Sequence, residues 1–159
     1  MLNFSLPRAG LALLLCPALV GCGPDPQLEV EAPEAGGAPL AAIESGPRVL
    51  FLGDSLSAGL HLPAQQAFPA LLAQRLAEEE LPIQLVNAGV SGDTTAGGLA
   101  RLDWLLRQEP DLVVVELGGN DGLRGVRADA VEQNLRAIVQ RCQTAGAAVL
   151  LLGMKLPPN

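Results

Sequence analysis

Three short stretches of the chain hold residue types that can do chemistry together. Gly53-Asp54-Ser55-Leu56 offers a serine hydroxyl, which becomes a nucleophile once a base takes its proton. Asn87-Ala88-Gly89-Val90-Ser91-Gly92-Asp93 centres on Gly89, where the missing side chain would let a backbone N–H point at a substrate oxygen. Gly118-Gly119-Asn120-Asp121-Gly122 offers the side-chain amide of Asn120 as a second donor, and the glycine pair before it lets the chain bend inward. A nucleophile with N–H donors aimed at one oxygen suits acyl transfer through an oxyanion. Each stretch alone has a plainer account, because Gly, Asp, Asn and Ser are ordinary turn and cap residues. The Gly-x-Ser-x-Gly elbow of the α/β-hydrolases is absent. So are the Walker and dinucleotide fingerprints, which sets aside a nucleotide-binding reading.

The elements that must carry these stretches alternate between strand and helix. Arg48 to Leu52 is a short apolar run ended by Gly53, as suits a strand buried on both faces. Phe68, Leu71, Leu72 and Leu76 recur at helical spacing, with Pro69 in the first turn and Leu81-Pro82 as the stop. Ile83 to Val86 reads as a second strand. Asp93 is the expected cap of a helix to about Gln108, with Leu99, Leu102 and Leu106 on one face. Leu112 to Leu117 is the third strand. Asp129 with Glu132 resembles a capping box, and the helix after it sets Val131, Leu135, Ile138, Val139 and Cys142 on one side, closed by Gly146. Ala148 to Leu152 is the fourth strand. The order βαβαβαβ predicts a parallel sheet flanked by helices, and all three polar stretches then fall at the carboxyl ends of strands.

Taken together, the three stretches resemble the GDSL, or SGNH, hydrolase family. That family has Ser in GDS(L) after its first strand, Gly in its second block and Asn in a GxND third block. Here these are Ser55, Gly89 and Asn120. The runs Gly53-Asp54-Ser55-Leu56-Ser57-Ala58-Gly59 and Glu116-Leu117-Gly118-Gly119-Asn120-Asp121-Gly122-Leu123-Arg124-Gly125 are similar to the bacterial multifunctional acyl-thioesterase, arylesterase and lysophospholipase branch. The resemblance spans Arg48 to Asn159 and implies a three-layer α/β/α fold of flavodoxin-like form. It further implies that Ser55 attacks an acyl carbonyl of a small ester or thioester. The backbone N–H groups of Ser55 and Gly89 and the Asn120 amide would bind the oxyanion. Asp54 and Asp121 would be structural, and Gly122 to Arg127 a mobile loop over an acyl groove. No metal or organic cofactor is implied.

One part of the family pattern is missing. The base that activates the serine lies in an Asp-x-x-His block near the family's C-terminus, and no such block occurs in these 159 residues. The single histidine, His61, follows Ser55 by six residues on the segment leaving the nucleophile turn, and is read as an exposed or groove-edge residue. The chain stops directly after the fourth strand. The expectation is therefore a domain incomplete at its C-terminus, with apolar surface uncovered and little activity of its own. The alternative is a non-catalytic lipoprotein that binds lipid or acyl groups.

Composition agrees with a folded α/β domain: 49% of residues are hydrophobic, 17% charged and only 3% aromatic, so the core must be aliphatic. A net charge of −7 leaves no electrostatic footprint for nucleic acid. Cys16, Cys22 and Cys142 fit neither a zinc site nor a redox pair. Residues 1–21 have the layout of a secretory signal: Arg8, an apolar run from Leu11 to Val20, then small residues. Leu19-Val20-Gly21-Cys22 resembles a bacterial lipoprotein box, which would make Cys22 the acylated N-terminus of a cell-envelope protein. Residues 22–47, rich in Pro, Gly, Ala and Glu, read as a tether, and residues 48–159 as the hydrolase domain.

Overall fold

A computed structural model of the protein describes residues 46–155. The signal and tether readings, with Cys16 and Cys22, lie outside the described residues. Four strands form one parallel sheet in the order β2-β1-β3-β4: β1 Arg48–Gly53, β2 Gln84–Asn87, β3 Leu112–Glu116 and β4 Ala148–Leu151. The helices are α1 Ser55–Ala58, α2 Phe68–Glu78, α3 Thr95–Leu106, α4 Gly119–Leu123 and α5 Ala128–Thr144.

The two central strands, β1 and β3, are apolar on both faces because helices cover both faces. On one side Leu50, Leu52, Val113 and Val115 pack with Leu102 and Leu105 of α3 and Ile138 and Cys142 of α5. On the other, Val49, Phe51 and Val114 meet Ala73 of α2 and Ile83. The aliphatic core expected from composition is thus split by the sheet. The Phe51 ring meets Phe68 edge-on, with centroids 5.7 Å apart. Burial pushes the Cys142 thiol up to about 11, so it behaves as a core side chain.

Several local expectations need correction. The second strand runs Gln84–Asn87 and not from Ile83, which turns into the core instead. The buried face of α2 is Pro69, Ala70 and Ala73, small residues that let the helix lie close to the sheet; Phe68, Leu71 and Leu72 are substantially exposed. The cap of α3 is Thr94, whose hydroxyl accepts from the Gly97 N–H, because Asp93 spends its carboxylate on Arg101 and the Thr94 N–H. The Asp129–Glu132 capping box does not form. The helix starts two residues earlier, capped by Arg127, so Asp129 lies inside its first turn and pairs with Arg127, while Glu132 pairs with Arg136. Gly146 does close α5: its N–H reaches Gln143 O and the next N–H reaches Cys142 O.

Leu135, Val131 and Val139 of α5, with Leu151 of β4, line an open apolar groove of 830 Å³. Gly118, Gly122 and Val126 border it, but Ser55, Gly89 and Asn120 do not. Leu150 and Leu151 of β4 are half-exposed.

Candidate active site

The three polar stretches do arise at the carboxyl ends of β1, β2 and β3. Ser55 is the first residue of α1, so its N–H is one of the orphan donors of a helix start. Asp54 caps that turn: its Oδ1 accepts the Leu56 N–H at 3.0 Å. Its Oδ2 accepts from Asn120 Nδ2 at 2.9 Å, which ties the residue before the serine directly to the third stretch. Asn120 rides on α4, a short helix entered through Gly118 at φ +116°, a conformation that favours glycine.

Gly89 is needed for a reason of space. A Cβ there would fall 2.3 Å from the Ala58 backbone N and 2.7 Å from the Ser57 carbonyl carbon. The β2 loop therefore lies flat against the turn that carries Ser55. Ala88 N–H donates to Phe51 O and Val90 N–H to Gly53 O, continuing the pairing with β1 beyond the strand. The Gly89 N–H between them faces the other way and donates to Asn87 Oδ1 at 3.0 Å. Asn87 Nδ2 in turn donates to Ser57 O at 2.7 Å.

Both amide hydrogens of Asn120 have protein acceptors, Asp54 Oδ2 and Asp93 O, each at 2.9 Å. A substrate oxygen that takes a hydrogen from Asn120 or Gly89 must replace one of these internal partners.

Buried polar groups hold the site from beneath. Asp121 receives Thr95 Oγ1 at 2.6 Å and Thr95 N at 2.9 Å, locking α4 to the start of α3, and Asn134 donates to the same hydroxyl. Glu116 ends β3 under α1, where its Oε2 accepts Ser57 Oγ at 2.9 Å. Its Oε1 is buried without a partner among the described residues. Burial pushes the Glu116 carboxyl above its ordinary range; the Ser57 hydrogen bond pulls it back, and the Asp54 charge raises it further. Sequence reading missed Glu116 and Ser57, although both stand within the quoted motifs.

Arg101 was missed as well. From the middle of α3 its guanidinium donates to Ala88 O at 2.6 Å and Gly53 O at 3.2 Å, and pairs with Asp93 Oδ2 at 2.8 Å. Its only sequence signal is a cation two turns into a helix, eight residues after Asp93. His61 sits with φ +66° on the exposed turn after α1.

Sheet order, helices on both faces and a serine turn met by two further strand-end loops define a parallel α/β domain of SGNH-hydrolase form. Residues 51–159 match the GDSL-like Lipase/Acylhydrolase family, and the chain belongs to it. It is 55% identical over 112 residues to the Esterase TesA of Pseudomonas aeruginosa, a match covering 70% of this chain and 56% of that one. It is 50% identical to the Thioesterase 1/protease 1/lysophospholipase L1 of Escherichia coli K12, covering 70% of this chain and 52% of that one. The crystal structure of AlinE4, a SGNH-hydrolase family esterase, superposes with a TM-score of 0.69 at 42% identity, covering 72% of this chain and 62% of that one. The chain thus spans only 52% to 56% of the length of these two sequence relatives.

Proposed function

We propose that the protein is a serine hydrolase of carboxylic esters or thioesters, with Ser55 as nucleophile. The backbone N–H groups of Ser55 and Gly89 and the side-chain amide of Asn120 form its oxyanion hole. The observation that carries this reading is the Asn120–Asp54 hydrogen bond of 2.9 Å, which joins the third stretch to the residue preceding Ser55. The contact of Gly89 with the Ser57–Ala58 backbone brings the second stretch to the same turn. The names of the relatives support esters, acyl thioesters or lysophospholipids as substrates.

Attack by Ser55 needs a base. His61, on its exposed turn, is not assigned that role. These 159 residues hold no Asp-x-x-His block, and a polypeptide limited to them is proposed to turn over esters negligibly. Cys22 is proposed as the lipidated anchor holding the domain at the bacterial envelope, on the strength of the Leu19-Val20-Gly21-Cys22 run.

The test is p-nitrophenyl ester hydrolysis by the full-length gene product. Ser55→Ala should abolish turnover, and Asn120→Ala should lower kcat by about 10²–10³-fold with KM little changed. Undiminished turnover in Ser55→Ala would overturn the reading.

A further inference from the structure

We propose that Arg101 is a positioning residue that clamps the oxyanion hole together, a role that rests on the hydrolase reading above. From α3 the guanidinium directly holds two of the three site-bearing segments, and the third through Asp93. Its Nη2 holds Gly53 O, two residues before Ser55, at 3.2 Å. Its Nη1 holds Ala88 O, the carbonyl of the peptide whose N–H belongs to Gly89, at 2.6 Å. Nε and Nη2 both reach Asp93 Oδ2, at 2.8 Å each. Asp93 in turn presents its backbone oxygen to Asn120 Nδ2 at 2.9 Å. One planar fork therefore sets the serine turn and the Gly89 peptide, and reaches Asn120 through one further residue.

The physical reason for an arginine here is geometric. Gly53 O and Ala88 O lie where β1 and β2 end, and Arg101 gives each a donor, beside the Val90 N–H that Gly53 O already accepts. Three donors in a fixed plane meet these two carbonyls and a carboxylate at once, which an ammonium on a flexible stem does not. The side chains of Arg101 and Asp93 are 24% and 11% exposed, so the pair is only lightly screened by solvent. The orientation of the 88–89 peptide plane is fixed at its oxygen by Arg101. The same plane carries the Gly89 N–H, so loss of the clamp would misaim that donor and leave the substrate pocket itself in place.

The experiment compares wild type, Arg101→Gln, Arg101→Lys and Asp93→Asn in the full-length protein, at a temperature where circular dichroism finds each folded. Amide hydrogen exchange is read on the 87–93 and 118–122 segments, and kcat and KM on a p-nitrophenyl ester. In Arg101→Gln the two segments should exchange at least about tenfold faster while β3 and α5 are unchanged. Its kcat should fall by about 10²-fold with KM within about twofold, as expected for lost transition-state contacts. Arg101→Lys should lose most of the same rate, because it keeps the charge and not the fork. Asp93→Asn, the milder change, should show the same direction and covers the case in which Arg101→Gln does not fold. Unchanged exchange in the two segments, or full kcat in Arg101→Lys, overturns the clamp. Absence of turnover in wild type would count against the hydrolase reading, and the exchange comparison would still decide the clamp by itself.

Discussion

Gly89 and Glu116 show how single residues set this site. At Gly89 the requirement is a backbone approach: any Cβ meets the Ala58 N at 2.3 Å. Gly89→Ala should cost about 1–3 kcal/mol of stability through overpacking against rigid backbone. It should also lower kcat, because the loop that offers its N–H is pushed off the serine turn; urea denaturation and ester hydrolysis read the two effects. Glu116 is more tightly protonated folded than unfolded, because burial raises its carboxyl above the ordinary 4.5. Its contribution to stability is therefore full below that value and lost as pH rises through the raised folded value. Glu116→Gln removes this titration. The stability of wild type relative to Glu116→Gln should fall as pH rises above about 4.5, and a flat or rising difference would contradict it. At this scale Ser55, Gly89 and Asn120 were legible because their types and order are unusual together. Arg101, Ser57 and Glu116 were not, because each acts by tertiary contact and none has a local pattern that marks it.

The elements were legible to different degrees, for reasons of packing and capping. β1 and β3 are continuous apolar runs and sit where hydropathy puts them. The sheet-facing side of α2 is not marked by its large leucines, because the small Pro69, Ala70 and Ala73 are what allow close contact with the sheet. The helix starts were misjudged where a carboxylate had a better partner: Asp93 with Arg101, Asp129 with Arg127. The end of α2 carries a testable strain. Glu80 lies at φ +61° just past the cap, with its N–H on Ala77 O and the Leu81 N–H on Leu76 O. This is a left-handed closing turn on a residue with a Cβ. Glu80→Gly should therefore stabilise the fold by about 0.5–1 kcal/mol, read as a rise in Tm with ester hydrolysis unchanged. A lowered Tm would mean that the side chain of Glu80 contributes more than its backbone costs.

For the whole molecule, one parallel sheet brings three strand-end loops to a common edge, and the chain's place in the GDSL-like family follows from that edge. No described helix is long and apolar enough to cross a membrane, so the proposed link to the envelope rests on Cys22. The wild-type product should partition into detergent and Cys22→Ser into water; equal partitioning would refute the anchor. The central claim is that Ser55 is the nucleophile, and it is tested most directly by reacting the full-length gene product with a fluorophosphonate and mapping the adduct by mass spectrometry. A single adduct on Ser55, absent from Ser55→Ala, is the expected result. An adduct on another residue, or a folded product that binds esters and leaves Ser55 unlabelled, would contradict it.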